Sequence, residues 1–346
     1  MATDTIPSMG WKRGAINAAH RIGLFDATAM AYGPRRLTVL AYHRVVDHRD
    51  PGFVGFIGNV SATPVEFDKQ MDWVAARFSV VTLDDLATAA TGGAALPDHP
   101  LLITFDDGYR DNLENATPIL EDRGLPAAAF LATDLVGGGS LPWWDVVAWC
   151  FKSTSLAEAD LPVVGHRAWV DGHREAFSWI AAAKQLPGAE QRGAVDRLPA
   201  ALELTLDESA LRGLMLDWDQ VATMPARGWQ IGAHTRSHPI LTRIPLGDAA
   251  KEIDGSRRRI AEVVGVPPRG FAYPNGQAGD HDAAVRAAVA EAGFEVAFTL
   301  APGPARRTEY SSNPLAIRRV FVHHKDGISR LAAKTGGVAR MSKVFR

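Results

Sequence analysis

The hydrophobic positions of this chain fall into short apolar runs that are separated by longer segments of helical periodicity. Seven runs are almost continuously apolar, which is typical of strands buried on both faces, and Phe78–Val81 is a candidate for an eighth. Strands that alternate with helices indicate a parallel sheet, and we favour an α/β barrel, complete or incomplete, over an open sheet. The seven runs are Leu37–Tyr42, Leu101–Phe105, Ala127–Ala132, Trp229–Ala233, Gly270–Tyr273, Val296–Thr299 and Ile317–Val322.

Three intervening segments carry clear helix signals. Asn112–Arg123, Gly247–Val264 and Asp282–Ala292 are each followed by a glycine, the residue that most easily adopts left-handed backbone after a helix. Residues 137–217 break the rhythm with a Gly-Gly-Gly turn and then Ala-rich and Leu-rich segments. We predict a mainly helical insertion at about 140–217, placed after the third strand, where it could form one wall of a site.

The ends of the chain differ from its middle. We divide it into an N-terminal helical segment at 1–36, the barrel at 37–329 and a basic tail at 330–346. Trp11–Ala31 is basic and amphipathic, which fits a helix packed on the domain or a peripheral membrane contact. The N-terminus has no pattern of a secretory signal, so the expected location is cytoplasmic.

Composition changes this picture mainly by exclusion. The chain has 346 residues, of which 47% are hydrophobic and 22% charged, as in ordinary globular proteins. Its 37 basic and 39 acidic residues give a net charge of −2, so nucleic acid is not an expected partner. The single cysteine, Cys150, excludes an internal disulfide and any multi-cysteine metal site, so a bound metal would need histidines and carboxylates.

Two adjacent carboxylates, Asp106 and Asp107, stand where the second apolar run ends. Successive side chains of a strand point to opposite faces. Asp106 and Asp107 can therefore act in one site only if the strand ends there and Gly108 lets the chain turn. Desolvation and mutual repulsion oppose such a pair, which favours a functional role over a simple turn or helix cap.

A second constellation, His234-Thr235-Arg236-Ser237-His238, follows the fourth run. Two histidines at this spacing can ligate one cation, and Pro239 disfavours a helix at His238, so we predict a loop at the strand end. With Asp107 they would form a three-ligand site that keeps positions open for water and substrate, although the two histidines alone are weak evidence.

Other strand ends add candidates whose roles the residues leave open. His43 follows the first run and is either a core histidine or a catalytic one. Tyr273, Pro274 and Asn275 form a turn whose backbone N–H groups could face a substrate oxygen. Trp144 could stack on a sugar ring or anchor the inserted helices.

The two motifs Thr104-Phe105-Asp106-Asp107-Gly108 and His234-Thr235-Arg236-Ser237-His238 resemble those of the polysaccharide deacetylase family, the carbohydrate esterases related to nodulation-factor and chitin deacetylases. The resemblance runs from about Leu37 to Val322 and implies a distorted (β/α)-type barrel of about seven strands. It further implies that Asp107, His234 and His238 hold one divalent metal ion, zinc in the first place, with cobalt and nickel as alternatives. Asp106 would be the base that accepts a proton from the attacking water.

Two departures from the family pattern affect the site. Many members have an arginine two residues before the proline of a third motif, which in this chain is Phe271-Ala272-Tyr273-Pro274. Ala272 occupies the place of that arginine here, and Arg269 is three residues too early to replace it. The usual late histidine acid of the family has no clean match here, and only His323-His324 follows the last predicted strand. The stretches around His43 and Tyr273 are similar to those of biofilm poly-N-acetylglucosamine deacetylases, so we predict His43 as the general acid and keep His323 in reserve.

The resulting hypothesis is a metal-dependent hydrolase that removes N-acetyl groups from an amino sugar in a polysaccharide, an oligosaccharide or a lipid-linked precursor. Tyr273, Pro274, Asn275 and Trp144 are the predicted substrate-binding residues, and the Asn275 N–H would stabilise the oxyanion. The alternatives are an O-deacetylase of an acetylated sugar and a catalytically silent carbohydrate-binding barrel, which only the altered third motif supports. The oligomeric state is not predicted.

Overall fold

The computed structural model describes residues 36–337, together with Gly14, Ile16 and Ala18. Apart from those three residues, positions 1–35 of the predicted N-terminal segment lie outside the described residues, as do positions 338–346 of the predicted basic tail. Within the described part of the chain, no helix has the length and apolarity that crossing a lipid bilayer requires.

Seven parallel strands close into a barrel, as the apolar runs predict. With the strands numbered in chain order, the order round the barrel is β1 (Arg36–Tyr42), β13 (Ile317–Phe321), β11 (Val296–Pro302), β10 (Gly270–Ala272), β9 (Trp229–Ala233), β6 (Ala127–Leu131) and β5 (Pro100–Asp107). β5 pairs again with β1, from Thr38 opposite Leu101 to Tyr42 opposite Phe105. The predicted α/β barrel is therefore confirmed, and it is complete. The other strands are β2 (Arg44–Val45), β3 (Val60–Ala62), β4 (Ser79–Val80), β7 (Glu158–Leu161), β8 (Gly165–Ala168) and β12 (Ala305–Arg306).

The helices pack around the barrel and in the insertion. The predicted helix at 112–123 is a π-helical turn, Asn112–Ala116, that continues into α3 (Thr117–Glu121). The other two predicted helices are α9 (Leu246–Val264) and α10 (Ala283–Glu291). Gly265 ends α9 with a φ of 84°, the left-handed conformation expected of a glycine there. The helices are α1 (Pro64–Ala75), α2 (Leu83–Ala90), α3 (Thr117–Glu121), α4 (Trp143–Ser153), α5 (Gly172–Ala183), α6 (Gly188–Ala201), α7 (Glu208–Arg212), α8 (Trp218–Thr223), α9 (Leu246–Val264), α10 (Ala283–Glu291), α11 (Arg307–Ser312) and α12 (Ile328–Thr335).

The segment between β6 and β9 has a hydrophobic core of its own. Helices α4 to α7 pack around the fully buried Trp179 and Cys150, while β7 and β8 form a short antiparallel hairpin that the sequence does not predict. At the other end of the chain, α12 packs Leu331 and Ala332 against the barrel core, so the first residues of the predicted basic tail are helical.

The barrel places its chemistry at one rim. Because all seven strands are parallel, their carboxyl ends meet at the same end of the barrel, and the side chains that follow them converge there. The insertion after β6 rises from that same rim.

Candidate active site

The backbone of the rim is strained where the candidate residues lie. Among the described residues, seven other than glycine have a positive φ, and four of these are Asp107, Thr235, His238 and Asn275. Such conformations are unfavourable for residues with a side chain and persist where the surrounding structure enforces them, typically at functional sites.

Asp107, His234 and His238 come together as the spacing predicts. Oδ1 of Asp107 lies 3.5 Å from Nε2 of His234 and 3.4 Å from Nε2 of His238. The segment after β9 is a loop, as predicted, and the Thr235 hydroxyl holds it by accepting the His238 N–H at 3.0 Å. Glu252 of α9 accepts the Arg236 and Ser237 N–H groups, each at 2.8 Å, which fixes the other side of the loop.

Surrounding groups orient both imidazoles. Nδ1 of His234 lies 2.6 Å from the Ala272 carbonyl oxygen, and since a carbonyl only accepts, Nδ1 carries the proton and Nε2 offers its lone pair to the site. The ring of His238 packs edge to face on Trp144, with 4.5 Å between the centroids. Burial lowers the pKa of both histidines, so both rest in the neutral form that ligates metals.

This donor set fits a divalent metal ion. Oδ1 of Asp107 is buried and has no hydrogen-bond partner among the described residues. Ligand atoms about 2.0–2.1 Å from a tetrahedral ion lie roughly 3.4 Å apart, which matches the observed separations. Burial, and then the charges of Asp106 and Asp145, raise the pKa of Asp107 well above its usual value, which a cation at this position would counteract. Nitrogen and oxygen ligands of this kind suit zinc, cobalt or nickel.

Asp106 is held by an arginine that the sequence analysis missed. The guanidinium of Arg319 on β13 grips the carboxylate with two bonds, Nη1 to Oδ1 and Nη2 to Oδ2, both 2.7 Å long. Burial is the largest single influence and opposes ionisation of Asp106. The charge and hydrogen bonds of Arg319, together with the nearby His234 and His43, outweigh it, so the pKa of Asp106 lies below its usual range. The carboxylate is therefore ionised and fixed in orientation.

Arg269 does not perform this task, since it pairs with Glu295 and Asp84 at the outside of the barrel. The sequence does contain a signal for Arg319, because it is a charged residue inside an apolar run that predicts a strand buried on both faces. A fully buried charge of this kind needs a buried partner.

His43 lies nearer to the candidate ligands than His323 does. Nε2 of His43 is 4.0 Å from Oδ2 of Asp107, whereas the ring of His323 packs on His324. Burial lowers the pKa of His43 to about 4, although the charge of Asp106 opposes this shift. The pKa of His323 is also lowered to about 4, by burial and then by His324.

The turn after β10 presents one free amide. The Tyr273 N–H donates to the Phe298 carbonyl at 3.0 Å, and Pro274 has no N–H. The Asn275 N–H has no acceptor among the described residues. The Tyr273 side chain lies at the cavity wall but is buried, and its hydroxyl donates to the Leu315 carbonyl at 2.9 Å. Pro274 is not among the residues that line the cavity.

Trp144 belongs to a buried network behind the candidate metal ligands. Its indole N–H donates to the Tyr109 hydroxyl at 2.6 Å, and that hydroxyl donates to Asp145 at 2.7 Å. Asn59 Nδ2 lies 3.3 Å from the same hydroxyl and 3.4 Å from Oδ2 of Asp107. The insertion is thus connected to the carboxylate of Asp107 through hydrogen bonds.

These residues surround a cavity of about 750 Å³. Asp106, Asp107, His234, His238, His43 and Asn275 line its floor. The insertion supplies an apolar wall that includes Phe177 and Ile180, and Phe177 packs on Phe56 with 4.5 Å between the ring centroids. The volume suits a ligand of about one or two sugar rings.

Comparisons with known proteins agree with this geometry. Residues 93–297 match a family model described as polysaccharide deacetylase. YxkH of Bacillus subtilis (strain 168), which is named as a member of that family, is 29% identical over 106 residues, 30% of this chain and 34% of that protein. The poly-beta-1,6-N-acetyl-D-glucosamine N-deacetylase of Staphylococcus epidermidis is 30% identical over 117 residues, 31% of this chain and 40% of that one.

A solved structure extends the likeness of the fold to most of the chain. The deacetylase PplD of Streptococcus pyogenes, solved in complex with acetate, aligns with a TM-score of 0.58 and 15% identity over 87% of this chain and 99% of that one. The curated relatives, in contrast, are matched over only about a third to two fifths of their length. The distorted barrel expected from the motifs is therefore the fold of this chain.

Proposed function

Because this chain belongs to the polysaccharide deacetylase family, whose model matches more than half of its length, we propose that it is a metal-dependent N-deacetylase of an amino sugar. The substrate would be an N-acetylated unit of a polysaccharide, an oligosaccharide or a lipid-linked precursor. The products are acetate and a free amine.

Asp107, His234 and His238 would hold the metal ion. When bound, a divalent ion there would polarise the acetamide carbonyl and lower the pKa of a water molecule. Zinc is the first candidate, with cobalt and nickel as alternatives, because two imidazoles and one carboxylate suit all three ions.

The residues of the chain would then move the protons. Asp106, kept ionised by Arg319, accepts a proton from the water that attacks the carbonyl carbon. The free N–H of Asn275 donates to the oxyanion that develops on the carbonyl oxygen. His43 donates a proton to the nitrogen as the carbon–nitrogen bond breaks, a role that its burial opposes and the charge of Asp106 favours.

The main support for this proposal is that two adjacent carboxylates in one cavity have different hydrogen-bond partners. Asp106 is locked by a guanidinium, while Asp107 points a free oxygen at two neutral imidazoles. A catalytically silent carbohydrate-binding barrel would not require an ionised, oriented carboxylate beside the candidate metal ligands. The altered third motif no longer supports that alternative, since Arg319 supplies the guanidinium that Ala272 lacks.

The test is acetate release from N-acetylglucosamine oligomers by protein that is stripped of metal and reloaded separately with zinc, cobalt or nickel. We expect release that depends on metal and is lost in Asp106→Asn. A parallel assay with natural O-acetylated sugars shows whether the protein prefers the amide bond or the ester bond. Faster acetate release from the ester would indicate an O-deacetylase. If no acetate is released from either substrate with any metal, the proposal is wrong.

A further inference from the structure

One positive charge in the cavity lacks a carboxylate partner. Among the described residues, three lysine and arginine side chains line the cavity, and two of them are paired: Arg319 with Asp106, and Lys334 with Asp326. The third, Lys184, forms no ion pair with a carboxylate of the described residues. It follows α5 directly, so the insertion brings this charge to the cavity.

Hydrogen bonds hold the ammonium group of Lys184 in place. Its Nζ donates to Oδ1 of Asn275 at 2.8 Å, and Nδ2 of Asn275 donates to Asp280 at 2.6 Å. The carboxylate of Asp280 only accepts and the ammonium only donates, so this orientation of the Asn275 amide satisfies both neighbours. Lys184 uses one of its three N–H groups in this bond, and the other two have no acceptor among the described residues.

Lys184 also lies within electrostatic reach of the candidate reaction centre. Burial is the main cause of the lowered pKa values of His43 and His238, and the charge of Lys184 contributes to both. Burial lowers the pKa of Lys184 itself, which the charges of Asp280 and Asp107 oppose. Lys184 is therefore a half-buried cation with two free N–H groups, and it lies next to Asn275, whose backbone N–H would donate to the oxyanion. An anionic oxygen of a bound ligand would satisfy these N–H groups.

We propose that Lys184 binds an anionic substituent, a carboxylate or a phosphate ester, on the same sugar that carries the acetyl group. This inference rests on the proposed deacetylase function and narrows its substrate to an acidic amino sugar. The chemistry is a charge-assisted hydrogen bond from the ammonium to the anionic oxygens. The metal-binding and proton-transfer residues would treat a neutral sugar in the same way, so Lys184 determines specificity without being needed for the reaction itself.

The kinetic test compares three substrates with zinc-loaded, full-length protein. N-acetylglucosamine 1-phosphate carries a phosphate, N-acetylglucosaminuronic acid carries a carboxylate, and methyl N-acetylglucosaminide is neutral. In Lys184→Gln we expect kcat/KM for an acidic substrate to fall by about 10-fold to 100-fold, with the neutral substrate changed by less than about 2-fold. Whichever acidic substrate loses activity identifies the anion.

Two further variants separate recognition from structure. Lys184→Arg keeps the charge and should retain the preference for the acidic substrate. Lys251→Gln removes the charge of an exposed lysine on α9 and should change nothing. If Lys184→Gln slows all three substrates equally, Lys184 only braces the turn after β10 and the inference is overturned. It is overturned equally if no acidic substrate is preferred by the unaltered protein.

A binding measurement keeps this inference separate from the proposed function. Calorimetry with metal-stripped protein, where phosphate cannot ligate a metal, should show binding of the acidic sugar that Lys184→Gln loses and added salt weakens. Such binding without acetate release from any substrate would support the anion site at Lys184 and contradict the proposed deacetylase function. If the acidic sugar does not bind, or binds equally well to Lys184→Gln, the anion site at Lys184 is contradicted even if acetate release is found.

Discussion

At the scale of single residues, the pairing of Asp106 with Arg319 shows that a guanidinium can reach this carboxylate from a strand other than the one before the turn at Tyr273. The strands of a closed barrel end at one rim, so a side chain on β13 can reach a carboxylate on β5. The arginine that the third motif lacks at Ala272 is thus replaced from a different strand. The bond geometry, with two parallel contacts, is one that a planar guanidinium provides and an ammonium does not.

The first prediction concerns this pair. Arg319→Lys keeps a positive charge but loses one of the two contacts, so we expect kcat to fall by roughly 100-fold with little change in KM, since orientation of the base is lost rather than substrate contact. Arg318→Lys, the same substitution at the neighbouring position, is the matched control and should be nearly silent. Circular dichroism and melting temperature check that both variants fold. Equal kcat values in the two variants would contradict a positioning role.

The second prediction separates the two candidate acids. A general acid matters only when the leaving group needs a proton, so His43→Gln should slow release from an N-acetyl sugar by about 100-fold or more and hardly affect an activated aryl acetate. His323→Gln should leave both rates near those of the unaltered protein, because its ring contacts His324 and not the candidate metal ligands. A larger loss in His323→Gln than in His43→Gln would reverse the assignment.

How far single residues can be predicted from the sequence depends on whether the signal is local. Asp106 and Asp107 directly follow one apolar run and His234 directly follows another, with His238 four residues further on. Their meeting at one rim could therefore be predicted from strand ends alone. Arg319 and Lys184 could not be assigned, because their partners Asp106 and Asn275 lie far away along the chain. Which of two distant side chains meet is determined by strand order and by the placement of the insertion.

At the scale of elements, the insertion behaves as the back wall of the site. Asp145 at the start of α4 accepts the Phe56 N–H at 2.6 Å and the Tyr109 hydroxyl at 2.7 Å, which ties α4 to the loop before β3 and to the end of β5. The loop, the helix and the barrel strand therefore depend on one buried carboxylate.

The third prediction follows from the protonation of Asp145. Burial, against the opposing charge of Arg44, raises its pKa to about 6 from a usual value of 3.8. The folded protein then binds this proton more tightly than the unfolded chain, so the contribution of Asp145 to stability is greatest below pH 4 and decreases as the pH rises towards and past 6. The total decrease is about 3 kcal/mol.

Urea unfolding of the unaltered protein and of Asp145→Asn between pH 4 and 7 measures this effect. Asparagine does not titrate, so the difference in unfolding free energy between the two proteins should shift in favour of the variant as the pH rises. A difference that stays constant across this range would mean that folding leaves the pKa of Asp145 unchanged.

The fourth prediction uses Cys150 as a reporter of the insertion. The thiol is fully buried on α4, and burial raises its pKa to about 12, so almost no thiolate is present at neutral pH. We expect a thiol reagent to label native protein slowly and urea-unfolded protein at once. If labelling needs less denaturant than loss of the barrel's circular dichroism signal, the insertion opens as a unit of its own. Fast labelling of the native protein would contradict the packing.

Elements were predictable where the hydrophobic pattern is strong. The seven barrel strands are buried on both faces, which leaves a continuous apolar run in the sequence. The hairpin of β7 and β8 was missed because its residues are mostly exposed and polar, such as Glu158 and the stretch Gly165–Ala168, so no alternation of apolar and polar positions marks it.

At the scale of the whole molecule, closure of the barrel is a long-range property. β1 pairs with β13 on one side and β5 on the other, although β13 lies at the far end of the chain. The apolar runs predict strands and their number but contain little information about which edges meet. The sequence could therefore suggest a barrel without deciding whether it was closed.

The last prediction links that closure to the metal. The candidate ligands come from the end of β5 and the loop after β9, which are separated on the barrel by β6 and far apart in sequence. The unfolded chain cannot keep these ligands together, so an ion held by Asp107, His234 and His238 stabilises the folded state alone. At a free metal concentration of 100 times the dissociation constant the gain is about 2.7 kcal/mol.

For a chain of this length that gain corresponds to a rise in melting temperature of roughly 4 °C. The measurement is the melting curve of metal-stripped protein with and without added zinc. His234→Ala should lose the rise, while His323→Ala, which alters a histidine of the same cavity outside the ligand set, should keep it. An equal rise in both variants would place the metal elsewhere, and its absence from the unaltered protein would contradict the metal site without reference to any assay of activity.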